Sequence, residues 1–189
     1  EDFIKPMKKV KNEIIQYKSE KKIIKSTPKY APAGQSTQMI IGASQENDYQ
    51  IMTASNFFYK KFNLKRVYYS GYVPISYDSR LPQIGTEVPM LRENRLYQTD
   101  WLMRFYGFNV NEILNEKHTH LDLDIDPKLS WALRHMDQFP VDINTASKRM
   151  LARVPGLGLK SVYKILQARK HRLLDWEHLK KFGVALNRA

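Results

Sequence analysis

Ile143–Lys170 reads "INTASKRMLARVPGLGLKSVYKILQARK", a pattern of two short helices joined by Pro155-Gly156-Leu157-Gly158. The first helix takes Asn144 or Thr145 as its N-cap and turns Ile143, Ala146, Met150, Leu151 and Val154 to one apolar side. Pro155 stops it, because the ring removes a donor and clashes with the preceding turn. Gly156 and Gly158 then permit positive φ and a close approach of backbone to a ligand. The second helix spans roughly Leu159–Ala168 and buries Val162, Ile165 and Leu166. Its first N–H groups and the positive end of its dipole lie beside the glycines, a ready seat for an anion such as phosphate. Leu157 would add its N–H, Lys160 a charge and Ser161 a hydroxyl. Arg149, Arg153, Lys148 and Lys164 would flank the seat.

The charge distribution points the same way. The chain has 189 residues and a net charge of +12, spread unevenly. Residues 1–30 carry nine lysines against four acids, residues 31–126 nine basic against eleven acidic residues, and residues 127–189 thirteen basic against four acidic. A basic tail behind a nearly neutral body suits a polyanion, of which nucleic acid is the commonest; a solvated, solubilising face is the alternative. No apolar run of roughly eighteen residues is present to span a membrane, and "EDFIKPMKK" is not a signal peptide. The lack of cysteine excludes disulfides and thiolate-bound zinc or iron–sulfur clusters within these residues. A soluble, cytoplasmic protein is expected. The first residue is Glu1, which hints at a piece of something longer.

With helix, P-G-apolar-G turn and helix inside a basic segment, the quoted stretch resembles the helix-hairpin-helix DNA-binding motif. Its "INTAS…VPGLGLKS" phrasing is similar to versions in DNA-uptake and nucleotide-excision proteins. The resemblance implies contacts to duplex DNA through backbone phosphates, without sequence specificity. A hairpin used for protein–protein packing is the rival. Downstream, Asp175 caps a third helix, and Phe182-Gly183-Val184-Ala185 resembles a worn second hairpin with Ala185 in the second glycine's place.

Towards the N-terminus, residues 4 to about 25 read as a lysine-rich helix with Ile4, Val10, Ile14, Ile15 and Tyr17 as its stripe. Gln38–Ala43 and Leu64–Ile75 read as strands, Ser44 or Asn47 opens a helix between them, and Arg92–Phe108 forms another helix with Leu96, Trp101 and Phe105 on its apolar side. Alternating helices and strands with long crossovers argue for α/β and parallel pairing. A closed barrel needs about eight strands and an open sheet usually about five or six. Residues 1–126 are therefore expected to be part of a (β/α) barrel or sheet. Its functional rim, at the strand C-termini, would include Gly42, Ser44 and Ser70, with Gln35, Ser36 and Gln38 nearby. Asp126-Pro127 starts a helix and marks the boundary to a small all-α domain, 127–189.

Three stretches, "YAPAGQSTQMIIGAS" (30–44), "LKRVYYSGYVPI" (64–75) and "LRENRLYQTDWLMRFYGF" (91–108), together with the segments from Leu121 onward, resemble the C-terminal half of the DNA modification/repair radical SAM proteins. That resemblance implies a barrel of radical SAM type followed by the helix-hairpin-helix domain. It also implies a 4Fe-4S cluster and S-adenosylmethionine in the complete protein, none of it bound by this cysteine-free chain alone. A missing N-terminal barrel half, in the same or a separate chain, would have to supply the cluster.

Two other chemistries find only part of their residues in this chain. In helix-hairpin-helix DNA glycosylases/lyases a catalytic lysine follows the second glycine by two residues, as Lys160 does, but an aspartate is needed roughly eighteen residues later. His178 occupies that place. "HTHLDLDIDPK" alternates His118, His120, Asp122, Asp124 and Asp126, which on an extended strand would share a face. As a calcium loop it fails, because Pro127 stands where glycine is needed and Leu133 where glutamate belongs.

Overall fold

The computed structural model describes residues 2–75, 77–86 and 88–184. The chain divides into two compact units, Glu1–Glu93 and Asn94–Ala189, ahead of the 126/127 boundary drawn on composition.

In the first unit, α1 (Ile4–Ile23) buries no residue and its N-cap position, Phe3, makes no side-chain cap. Its attachment is polar instead: Lys11 Nζ donates to the Lys61 carbonyl at 2.8 Å. β1 (Ser36–Ile41), α2 (Asp48–Phe62) and β2 (Arg66–Gly71) form one β-α-β unit, with the strands parallel and in register from Ser36↔Arg66 to Ile41↔Gly71. Asn47 opens α2 with a capping box to Gln50. The helix sets Ile51, Met52, Ser55 and Phe62 inside, and the Tyr69 hydroxyl donates to Ser55 Oγ at 2.9 Å across the sheet–helix layer. Val67 and Tyr69 are buried on that face, whereas Ile40 and Tyr68 on the other are about half exposed.

This corrects the expected barrel. Among the described residues the sheet is two strands, β1 beside β2, and it is open. The physical sign lies in the strands. Barrel strands are covered on both faces and read as continuous apolar runs, whereas "STQMII" alternates exposed Ser36, Gln38 and Ile40 with covered residues. A solitary β-α-β unit gives the same order of elements as a barrel segment, so order alone does not decide.

The helix α3 (Met90–Phe105), which belongs to the second unit from Asn94 onward, buries Leu96, Thr99 and Leu102. Trp101 and Phe105, expected on its apolar side, are 55% and 45% exposed. Next come α4 (Val110–Ile113), α5 (Pro127–Arg134), a 3-10 turn at Met136–Gln138, α6 (Lys148–Leu151), α7 (Leu159–Ala168) and α8 (Trp176–Lys181). Asp126 caps α5 through the Lys128 and Leu129 amides, with Pro127 in the first turn. The core of the last three helices is Leu151, Leu157, Val162, Ile165, Leu174, Leu179 and Val184. Asn144 does not cap α6. Its side chain donates to the Leu174 carbonyl and accepts from the Leu174 amide, leaving Ser147 to cap through the Met150 amide.

Residues 94–126 are tied to these helices by Arg153. Its Nη2 donates to both carboxylate oxygens of Glu112, at 2.8 and 2.7 Å, and the guanidinium stands 4.4 Å over the Phe108 ring and 5.5 Å from Trp131. Burial opposes the Glu112 charge, but the Asn109 amide, Arg153 and Arg149 outweigh it and hold the carboxyl below its ordinary range. The stability this supplies is present above pH about 4.5 and is lost as pH falls through the lowered value. The segment 118–126 is a series of turns. Asp122 Oδ1 accepts from the Asp124 and Ile125 amides, so its carboxylates do not line one strand face.

Candidate nucleic-acid interface

The site is assembled by a hairpin whose turn is fixed from both sides. After α6 the chain tightens, with Arg153 N–H on the Met150 carbonyl at 2.9 Å and Val154 N–H on that of Leu151 at 3.3 Å. Gly156 then takes φ +78°, the left-handed region that an L side chain enters at a cost. Leu157 drops its side chain into the core, 3% exposed, and anchors the turn. Gly158 is the N-cap of α7 with φ −78° and ψ 159°. It therefore does not use the positive φ expected of it.

The reason for glycine at 158 lies in the space around it. A Cβ built there meets only the Tyr106 hydroxyl, at 4.0 Å. The protein leaves this face of the backbone open.

Behind Gly158, α7 begins without a side-chain cap. Its first intrahelical bond is Val162 N–H on the Gly158 carbonyl at 3.0 Å. The amides of Leu159, Lys160 and Ser161 have no acceptor among the described residues. Three orphan donors at the positive end of a ten-residue helix are what an oxyanion needs. Lys160 is exposed and Ser161 half-buried in that same turn.

These are the hairpin, the second helix and the core of a known motif. Residues 137–184 are a helix-hairpin-helix motif. The family model of that description matches over those residues. No curated protein and no solved structure matches the chain.

Within the helix-hairpin-helix the sequence-predicted residues separate into two groups. Gly156, Gly158, Lys160 and Ser161 surround the open amides. The Leu157 amide is turned away from them and donates to the Val154 carbonyl at 3.2 Å. Arg153 is 2% exposed and committed to Glu112, so it holds the motif in place rather than facing solvent. Arg149 is exposed and also pairs with Glu112, at 2.7 Å. Lys164 donates to the Phe182 carbonyl at 3.2 Å, and Lys148 is exposed. Asp175 caps α8 through the His178 amide and also meets His178 Nδ1 at 2.7 Å. It is thereby occupied, and Lys160 gains no carboxylate partner of the glycosylase kind. Ala185 of the worn second hairpin lies outside the described residues.

Lys128 was not singled out in the sequence. From α5 its Nζ donates to the Leu157 carbonyl at 2.7 Å, and it stands 5.0 Å over the Tyr106 ring. Burial pushes its pKa down to about 8, against the pull of Asp126. No local signal marks it, since its partner is 29 residues away.

The six rim residues of the first unit are not brought together. Gln35 and Ser36 stand at the N-terminal end of β1, Gly42 and Ser44 beyond its C-terminal end. The Gln35 amide donates to the Met7 and Phe62 carbonyls. Ser36 and Gln38 are exposed along the open face of the sheet, and Ser70 pairs in register with Ile40. At the strand ends the Gly42 amide donates to Glu46 Oε1 at 2.8 Å, and Ser44 Oγ donates to the same carboxylate. The Gly71 amide donates to Glu93 Oε1 at 2.7 Å. The implied iron–sulfur cluster does not fit these residues, because the chain offers no thiolate, and the described residues contain no group of three metal-ligating side chains. No helix among the described residues is long and apolar enough to cross a membrane.

Proposed function

We propose that the helix-hairpin-helix binds DNA through backbone phosphates, without reading sequence. One observation carries this: the unpaired amides at the start of α7, framed by Gly158 with its open face and by exposed Lys160. A phosphate oxygen accepts from those amides, Lys160 neutralises its charge, and the net +9 of residues 127–189 steers the strand in. Nothing in this arrangement reaches base edges in a duplex groove, so affinity and not specificity is the output.

The test is the salt dependence of binding to a short duplex, wild type against Lys160→Ala. One hairpin covering two or three phosphates gives a log–log slope of about −2 to −3, and the substitution lowers its magnitude by about 1. Absence of binding at low salt would overturn the reading and favour a protein-packing hairpin. The further context, a radical SAM protein of DNA modification or repair, is supported by the ordered stretches 30–44, 64–75 and 91–108 and by nothing in the fold.

A further inference from the structure

Beside the hairpin, within the second unit, runs a groove of about 440 Å³ whose lining includes Tyr97, Trp101, Leu102, Tyr106 and Lys128, with Asp126, engaged in capping α5, at its edge. Trp101 is 55% exposed there, although α3 has an inward face, Leu96-Thr99-Leu102, to which an apolar ring would ordinarily belong. The indole is held in place by Phe105, ring centroids 4.4 Å apart. It is an ordered aromatic surface turned to solvent.

The groove is continuous with the anion seat through two residues. Lys128 lines it while donating to the Leu157 carbonyl of the hairpin at 2.7 Å. Tyr106 lines it while its hydroxyl sits 4.0 Å from the Cβ position of Gly158. A strand whose phosphate is held at the α7 amides therefore has its adjoining nucleotide beside an aromatic wall. Every base presents a flat π face that stacks on such rings. A base inside an intact duplex is already stacked between its neighbours and cannot use the wall. One that is unpaired or extruded can.

We propose that this groove receives an unpaired nucleobase, so that the protein prefers single-stranded DNA, or a duplex with an extruded base, to a fully paired duplex. The inference rests on the phosphate-binding reading of the hairpin. Trp101 and Tyr106 supply the stacking surface, and Lys128, buried and bonded to the Leu157 carbonyl, braces that wall against the hairpin.

The experiment titrates the full chain against four labelled oligonucleotides of one length: a paired duplex, the duplex with one unpaired base, the single strand, and an abasic strand with the same phosphates. The unpaired-base and single-strand forms are expected to bind at least about tenfold tighter than the duplex, and the abasic strand to lose that advantage. Single strand quenches tryptophan fluorescence, and the quench disappears in Trp101→Ala. That variant loses about tenfold on single strand and nothing on duplex, while Trp101→Phe recovers the preference. Its exposed position leaves folding intact, checked by thermal melting. Duplex binding with no preference for unpaired bases, or an equal loss on all four oligonucleotides, would overturn this inference and leave the hairpin reading standing. Binding to none of the four would overturn both.

Discussion

The strand ends of the first unit and the start of α7 in the second solve the same problem in opposite ways. Each presents backbone amides next to a glycine, a geometry that welcomes an anion. At the strand ends the protein supplies the anion itself, Glu46 for the Gly42 amide and Glu93 for the Gly71 amide. Close packing seals the place: a Cβ on Gly42 would lie 2.4 Å from Val88 Cγ2, and one on Gly71 2.7 Å from Glu93 Oε1. At α7 no carboxylate among the described residues answers the amides, and the Gly158 face is open. Donors of one kind are thus filled by the chain itself in the first unit and left open, among the described residues, in the second. Whether the chain fills its own donors is what separates the two.

The largest effect should come from closing the open face. Gly158→Val puts a branched side chain where a phosphate would approach, and its φ of −78° lets the variant fold. Duplex affinity is expected to fall about a hundredfold or more with the melting temperature nearly unchanged. Gly156→Val is expected to lose binding too, but with a lower melting temperature, because a side chain at φ +78° costs roughly 1–2 kcal/mol of stability. Equal melts for the two variants would mean that the glycines do not have separate roles.

The next largest effect concerns stability rather than binding. Arg153→Met leaves Glu112 with the exposed Arg149 alone and should cost about 3 kcal/mol in chemical denaturation. The salt slope of duplex binding by the folded variant should not change, since Arg153 does not face the seat. A lower slope would return Arg153 to the phosphate contacts. Glu93→Gln at the other end of the comparison weakens a charge-assisted bond to the Gly71 amide and should cost about 1 kcal/mol. Duplex affinity should be unaffected, because emptying a sealed place does not open it.

The helices with strong local signals were legible in the sequence. α7 spans the expected Leu159–Ala168, Asp126-Pro127 starts α5, and Asp175 caps α8. Each follows from chemistry within one turn of chain. What sequence could not show was which long-range partner a polar side chain finds. Asn144 has the right chemistry for a cap but is drawn to the Leu174 backbone 30 residues on. Arg153 looks like a phosphate contact beside the glycines until Glu112, 41 residues earlier, claims it. The barrel failed for a related reason: a β-α-β order records which strands neighbour each other and not how many there are. The alternation in "STQMII" was the available counter-signal, because it leaves one sheet face to water.

Lys128 sharpens the comparison at the smallest scale, because burial beside the hairpin lowers its pKa from 10.5 to about 8. The unfolded chain binds more protons between these values, so the cost of the buried ammonium is present below pH 8 and disappears as pH rises towards 10.5. Stability should therefore rise across this window, by up to about 3 kcal/mol. Duplex affinity should move the other way, since a neutral Lys128 amine no longer attracts phosphate. At constant salt the fall from pH 7 to pH 9.5 should be roughly threefold steeper in the wild type than in Lys128→Met. If the two affinity curves ran parallel, the ammonium would lie outside the field of the bound strand. Lys128 would then be a brace for the Leu157 carbonyl alone, belonging with the filled donors of the first unit rather than with the open ones of α7.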